Sequence, residues 1–356
     1  MRFQGPLLPT GEIVDLHVRD GVIVDAADSG VLPTATGWIV PGLVDAHCHI
    51  GLDDHGAVEK EEAEAQAILD RDGGALLIRD CGSASDTSWV HEREDLPRLI
   101  RAGRHIARTR RYIRNYADEV EPGGLVDSVV TQAGRGDGWV KLVGDWISRE
   151  EGDLAPSFPA TDFAAAITAA HERGAKVTAH CFGPEVLPGL LDARIDCIEH
   201  GTGLSTGLID QMVAQGTALV PTVMQTEKFP GYAAEGAEKF PAYSRRMTDL
   251  YGRRREVILA AHEARVAMYA GSDGGGVAKH GNLAGEILAM IDMGLPADYA
   301  LGAASWRARS WLGWNAGLEA GDPADFVVYP RDPLADPSVL HEPAVVVLRG
   351  NVVTRR

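Results

Sequence analysis

Lysine is scarce in this chain. Six lysines stand against 28 arginines in 356 residues, so wherever a plain positive charge would serve, arginine is used. Cysteine is scarce as well. The four present (Cys48, Cys81, Cys181 and Cys197) lack C-x-x-C spacing and lie in or beside apolar strand-like runs, which suits reduced, buried thiols and not a disulfide framework. No apolar run approaches the roughly 20 residues of a membrane span. The opening "MRFQGPLLPTGE" has no apolar core of the signal-peptide kind, so a cytoplasmic protein is expected. Positive charge is not in excess either. A formal net charge of −17 argues against nucleic acid or an anionic membrane as the main partner.

With 45% apolar residues the chain can bury one large core, with or without a smaller domain beside it. The first forty residues read as short β structure, with Asp20-Gly21 as a hairpin turn in "EIVDLHVRDGVIVDA". The last forty are alike: "ADFVVYP", then "AVVVLRGNVVT" with Gly350-Asn351 as the turn. These ends are expected to form one small β-sandwich domain from residues 1–40 and 316–356. The middle, 41–315, has another rhythm. Short apolar runs recur at Gly42–His49, Ala75–Asp80, His105–Thr109, Trp139–Val143, Lys176–His180, Cys197–His200, Ala218–Thr222 and Val266–Gly271. Helix-like segments lie between most of them. "ATDFAAAITAAHERGAK" predicts a helix capped by Thr161 and stopped at Gly174, and "STGLIDQMVAQGTA" one stopped at Gly216. Eight strands alternating with helices predict an α/β fold, a (β/α)₈ TIM barrel. An open doubly wound sheet is the rival, but no G-x-G-x-x-G turn follows the first strand.

A barrel of this kind builds its active site where strands end. There the sequence places His47 and His49, Lys141, His180, His200 and Asp273. His47 and His49 share one strand face, about 7 Å apart along the strand, and can reach one metal ion. His180 and His200, from neighbouring strands, can hold a second. Imidazoles and a carboxylate suit Zn²⁺ or a similar divalent ion with a position open for water. Lys141 stands inside the apolar run "WVKLVGD" in a chain that otherwise prefers arginine. A buried lysine can lose its proton, and the free amine can take up carbon dioxide as a carbamate able to bridge two cations. Pairing of Lys141 with Asp145 is the plainer alternative.

In this order, "VPGLVDAHCH", "VKL", "VTAHC", "IEHG" and "AGSDGG" resemble the amidohydrolase superfamily of metal-dependent hydrolases. The later "HGNLAGEILAMIDMGLPADYALGAASWRARSWLG" and "GLEAGDPADFVVYPRDPL" resemble the end of its barrel and the return to its β domain. The similarity covers nearly the whole chain, and it is nearest to the prolidase-like branch with two metals and a carboxylated lysine. The resemblance implies that His47 and His49 bind one metal, His180 and His200 the other, and the Lys141 carbamate bridges them. Asp273 would be a ligand of the first metal and the proton shuttle. One departure is visible: "VGDWISREEGD" follows Lys141 where that branch tends to have a Gly-rich loop.

Two cations sharing a water lower its pKa toward neutrality. With Asp273 as general base and then acid, the expected reaction is hydrolysis of an amide, cyclic amide or dipeptide C–N bond, with esters and lactones open to the same machinery. Deamination of a heterocycle at a one-metal site of His47, His49, His180 and Asp273 is the second enzyme reading. It would need an acid after His180, and Glu185 in "HCFGPE" is a poor match. A third reading is a non-catalytic scaffold, which no missing ligand favours. For substrate contacts the candidates are Arg111, Tyr112 and Arg114 in "RTRRYIRNY", as a clamp for a carboxylate, and His280 in "KHGN". Asp45 is read as a buried orienter. Glu199 is expected to turn away from the metals, and His105 to be structural or solvated. The expected partners are a small-molecule substrate and further copies of the chain.

Overall fold

The computed structural model describes residues 1–25, 32–276 and 278–355. Residues 26–31 and Arg356 of the expected β domain, and Val277 of the expected barrel, lie outside the described residues.

Both ends of the chain meet in one eight-stranded sheet. Its order runs Asn351–Arg355, Val345–Leu348, Phe326–Tyr329, Trp38–Pro41, Arg2–Leu7, Glu12–Arg19 and Val22–Val24, with Ala35–Thr36 paired to Arg2–Leu7. The join between the ends is antiparallel, Phe326 opposite Pro41 and Tyr329 opposite Trp38. Phe3 and Phe326 pack edge to face in its core, 4.9 Å between centroids, with Ile39, Val345 and Val347. The first hairpin turns at Asp20-Gly21, as read from the sequence. The last turns one residue earlier than read. Arg349 and Gly350 carry the positive φ angles, and Asn351 already lies in the strand.

The middle of the chain supplies two parallel sheets. One holds Gly274–Gly276, Leu43–Asp53, Ala75–Asp80 and Arg98–Arg101, with the short Gly56–Ala57 added antiparallel. The other runs Asp118–Val120, Ile106–Arg108, Trp139–Val143, Lys176–Cys181, Cys197–His200 and Ala218–Val220. Ala75–Asp80, Trp139–Val143, Cys197–His200 and Ala218–Val220 are buried along their whole length, as parallel strands covered on both faces must be. The sheets adjoin at two places. Arg98–Arg101 and Ile106–Arg108 are parts of one run, and Leu219 bridges Met268 in parallel while Ala46 N–H donates to Ala270 O at 2.9 Å. The fold is therefore mixed α/β and barrel-like. The expected strand over Val266–Gly271 has only that isolated bridge, and the ladder to Leu43–Asp53 is made further on by Gly274–Gly276.

Helices cover the parallel sheets. Ala160–His171 buries Phe163, Ala166, Ile167 and Ala170, and Thr206–Gln215 buries Ile209 and Met212. The second ends at Gly216 in the left-handed conformation that glycine adopts without steric cost. The first is preceded by Pro159, so Thr161 falls inside its first turn and is not its cap. Among the described residues, no helix is long and apolar enough to cross a membrane.

A buried carboxyl on helix Leu283–Asp292 braces the turn after Ala218–Val220: Glu286 accepts the Val223 N–H at 2.7 Å and the Met224 N–H at 2.9 Å. Burial pushes its pKa up to about 8 from an ordinary value of 4.5. Between these values the folded chain keeps a proton that the unfolded chain has lost, so this group makes stability fall as pH rises through that window. Glu286→Gln is expected to flatten the decline, read as urea midpoints at pH 5 and pH 8.

Candidate metal centre

Strand alternation aims His47 and His49 to the same side, and three ligand-type atoms meet there. His47 Nε2 lies 3.1 Å from His49 Nε2, and Asp273 Oδ1 is 3.1 Å from each. Edges of about 3.3 Å are expected between ligand atoms placed tetrahedrally at zinc–nitrogen distance. Beside this triangle His180 Nδ1 faces His200 Nε2 at 3.0 Å. The His47 and His200 ring centroids are 5.4 Å apart, so the two groups adjoin.

Outer hydrogen bonds set which nitrogen faces inward. His49 Nδ1 lies 2.7 Å from the Gly82 carbonyl, which can only accept. His47 Nδ1 lies 2.7 Å from Glu199 Oε2. His200 Nδ1 is 2.6 Å from Thr222 Oγ1, whose own hydrogen goes to Pro221 O. Each of these three outer nitrogens is thus a donor, and the neutral His49 and His200 rings present their Nε2 lone pairs inward, toward Asp273 Oδ1 and His180 Nδ1; the outer Nε2 of His180 has no hydrogen-bond partner among the described residues. Such an array repels itself unless a cation sits between.

Electrostatics agrees with this. Burial lowers His180 well below its ordinary value and His200 to about 3, so both are neutral at pH 7. Burial lowers His49 also, whereas Glu199 and Asp273 carry His47 above its ordinary value against burial and Lys141. Burial would raise the Asp273 carboxyl, but His47 first, and then the other imidazoles around it, hold it well below the usual range. Lys141 is 1% exposed and lines the same space, and its Nζ has no hydrogen-bond partner among the described residues. Asp145 is not that partner, because it accepts the Phe182 and Gly183 N–H groups.

The backbone is shaped for this convergence. His200, Thr222 and Asp273 have φ of 65°, 43° and 54°, a left-handed conformation that costs non-glycine residues on the order of 1–3 kcal/mol each. Gly271 permits the close approach of its segment to His47, since a Cβ there would lie 2.5 Å from the His47 Cβ.

Glu199 does not turn away as expected. Because His200 leaves the extended conformation, Glu199 takes the inward face, fully buried beneath His47. Arg79 Nη2 donates to its Oε1 at 2.6 Å, and Thr178 Oγ1 donates to the same oxygen. Burial would raise Glu199, but Arg79 and then His47 hold it well below the usual carboxylate range. The Arg79 guanidinium itself lies against the rings of Trp139 and Trp311, 4.6 and 5.0 Å from their centroids. The signal for it was present, since "ALLIRD" puts a cation inside an apolar strand just as Lys141 does. Asp45 accepts the His47 N–H at 3.1 Å and both polar groups of Ser272, orienting the two strand ends. His105, expected to be structural or solvated, is buried and stacked on His49 at 4.9 Å, with neither ring nitrogen partnered among the described residues.

Above the cluster opens a cavity of about 380 Å³. Of the expected substrate contacts only Tyr112 lines it. Arg111 is turned away as a tie: its guanidinium donates to the carbonyls of Trp146, Ala155 and Pro156 at 2.8–3.0 Å. Arg114 is exposed and outside the lining. His280 packs behind the ligand strand, its Nδ1 2.8 Å from Asp70 Oδ2 and 3.6 Å from Cys48 Sγ, away from the cavity. Glu185 is paired with Arg246 at 2.8 Å and does not line the cavity.

A barrel-like α/β fold with imidazoles and carboxylates gathered at its strand ends belongs to the class of metal-dependent hydrolases. The amidohydrolase family model matches residues 38–353, and the chain belongs to that family, whose members generally use divalent metals. Uncharacterized proteins of Mycobacterium tuberculosis and Mycobacterium bovis are 51% identical over 352 residues, 98% of this chain and 95% of theirs. A solved Xaa-Pro dipeptidase with bound methionine superposes with a TM-score of 0.82 at 22% identity, covering 99% of this chain and 98% of that one. An ochratoxinase of A. niger gives 0.78 at 17% identity, covering 99% and 95%. At such identities the two structures speak for the fold.

Arg79→Met would leave Glu199 buried without its cation, and a loss of about 3–5 kcal/mol is expected in chemical denaturation. Glu199→Gln is expected to weaken metal retention about 10–100-fold in chelator competition, because the His47 ring loses its orienting carboxylate.

Proposed function

We propose that the protein is a binuclear metal-dependent amidohydrolase. His47, His49 and Asp273 hold one divalent ion, His180 and His200 hold a second, and a carbamate on Lys141 joins them. In this reading residues 41–315 form the (β/α)₈ barrel, and 1–40 with 316–356 a small β-sandwich beside it. Zn²⁺ is the ion that best suits imidazole and carboxylate donors.

The observation that carries the proposal is the Lys141 amine, buried among these ligand atoms with no hydrogen-bond partner among the described residues. An ammonium left unpaired at this depth costs several kcal/mol. The uncharged amine adds to carbon dioxide, forming an N–C bond and releasing one proton. A carbamate held there by Lys141 would supply a negative charge and two oxygen donors beside the histidines that line the same space.

Two divalent ions bound here supply an acidified water and a polarised substrate carbonyl. The chain's own residues do the rest. Asp273, ionised at neutral pH, takes the proton of the attacking water and returns it to the departing nitrogen. Glu199, Gly82 and Thr222 keep the imidazoles in the required tautomers. The reaction is hydrolysis of a C–N bond in an amide, cyclic amide or dipeptide, with esters and lactones within reach of the same groups. The name of the Xaa-Pro dipeptidase neighbour supports C–N cleavage.

Elemental analysis is expected to find about two metal ions per chain. Lys141→Ala should lose hydrolysis of an amide and lactone panel and retain less than one ion per chain. Short carboxylic acids such as propionate should restore part of both by standing in for the carbamate. A Lys141→Ala protein with full activity and unchanged metal content would refute the bridge, and one ion per active chain would favour the mononuclear deaminase arrangement.

A further inference from the structure

We infer that the substrate of this site carries an uncharged apolar or aryl group beside its scissile amide-type carbonyl, and no carboxylate on that part. This rests on the proposed hydrolase reading and deepens it. The wall facing the ligand cluster is built from Tyr112, Trp146, Ile147, Leu154, Phe182 and Tyr232. Among the described lining residues the one lysine or arginine is Lys141, which lies at the ligand cluster itself and in the proposed reading is the carbamate. The one acid outside that cluster is Glu235, exposed at the mouth.

Beyond Lys141, no neighbouring lysine or arginine among the described residues lines the cavity. Arg111 is committed to three carbonyls, Arg246 to Glu185 and Asp153, and Lys228 donates to Gln225 at 2.8 Å. A substrate carboxylate held against this wall would be desolvated without a partner, and beside Glu235 it would meet a like charge. Neutral donors and acceptors are available instead. Gln225 Nε2 donates to the Tyr232 hydroxyl at 3.1 Å, and that hydroxyl keeps its own hydrogen for a ligand.

Much of the wall comes from the segment after Lys141 in which the sequence departs from the prolidase-like pattern. Asp145–Ser148 and Asp153–Pro156 pair as a hairpin that lays Trp146, Ile147 and Leu154 over the ligands. Arg111 pins this hairpin from outside. A residue that could have clamped a carboxylate thus holds in place the surface that excludes one.

Benzanilide and 4-(phenylcarbamoyl)benzoate, which differ by one carboxylate on the ring beside the carbonyl, form the test pair. Calorimetry on the protein as purified is expected to show the neutral member binding at least about tenfold more tightly, and kcat/KM should follow where hydrolysis is observed. Equal or tighter binding of the carboxylate would overturn the inference. Ile147→Arg, which places a guanidinium on the half-buried edge of the hairpin, should shrink or reverse the ratio, and an unchanged ratio would count against it. The affinity ratio is read without turnover. A protein that binds the neutral ligand but neither hydrolyses any amide nor holds metal would defeat the proposed reaction while leaving this inference standing.

Discussion

A buried carboxylate organises the centre of this molecule. Glu199 is gripped from below by Arg79 and Thr178 and holds the His47 ring from behind. An ion pair taken wholly out of water is a poor source of net stability, because desolvation offsets most of its attraction. Its value here is positional. With Glu199 ionised and fixed, His47 can present only Nε2 to its neighbours, and the Arg79 guanidinium rests in turn against Trp139 and Trp311. One rigid chain of contacts therefore runs from those two tryptophans to the ligand atoms.

The rest of the site spends conformational freedom to the same end. Three non-glycine residues at or behind the ligand cluster adopt left-handed backbone, and a glycine lets two segments approach more closely than side chains would allow. These features are unfavourable locally and persist because the surrounding strands and helices are densely buried. The outcome is a carboxylate and imidazole lone pairs facing inward, a chemical environment that is satisfied by cations. Membership of a family of metal-dependent hydrolases and the inward-facing nitrogens point the same way by independent routes.

Selectivity is built on a different part of the chain. The parallel strands carry the ligands, whereas the hairpin after Lys141 and the helix Phe229–Gly236 carry most of the wall. A scaffold common to many hydrolases can in this way keep its chemistry while the loops alter what fits beside it. Arg111 illustrates how small the change can be. The same side chain is a carboxylate receptor if it points inward and a loop tie if it points outward.

How much could be read from the chain depended on the range of the interactions involved. Ala75–Asp80, Trp139–Val143 and Cys197–His200 were legible to the residue, because a fully buried parallel strand shows as a short, mainly apolar run in which a charged residue stands out. The residue types gathered at their ends, and the oddity of a lysine in an arginine-using chain, were legible in the same local way. Orientation was not. Strand alternation predicted the wrong face for Glu199, since a single left-handed residue at His200 breaks the period. Arg111 and His280 found partners 35 to 45 and 210 positions away, respectively, and His105 found His49. Composition and periodicity are properties of neighbouring residues, so the sequence alone could determine the elements and the kinds of donor they carry. Which lone pairs meet, and which cations are left to greet a substrate, are contacts between distant segments, and only the tertiary structure decided them.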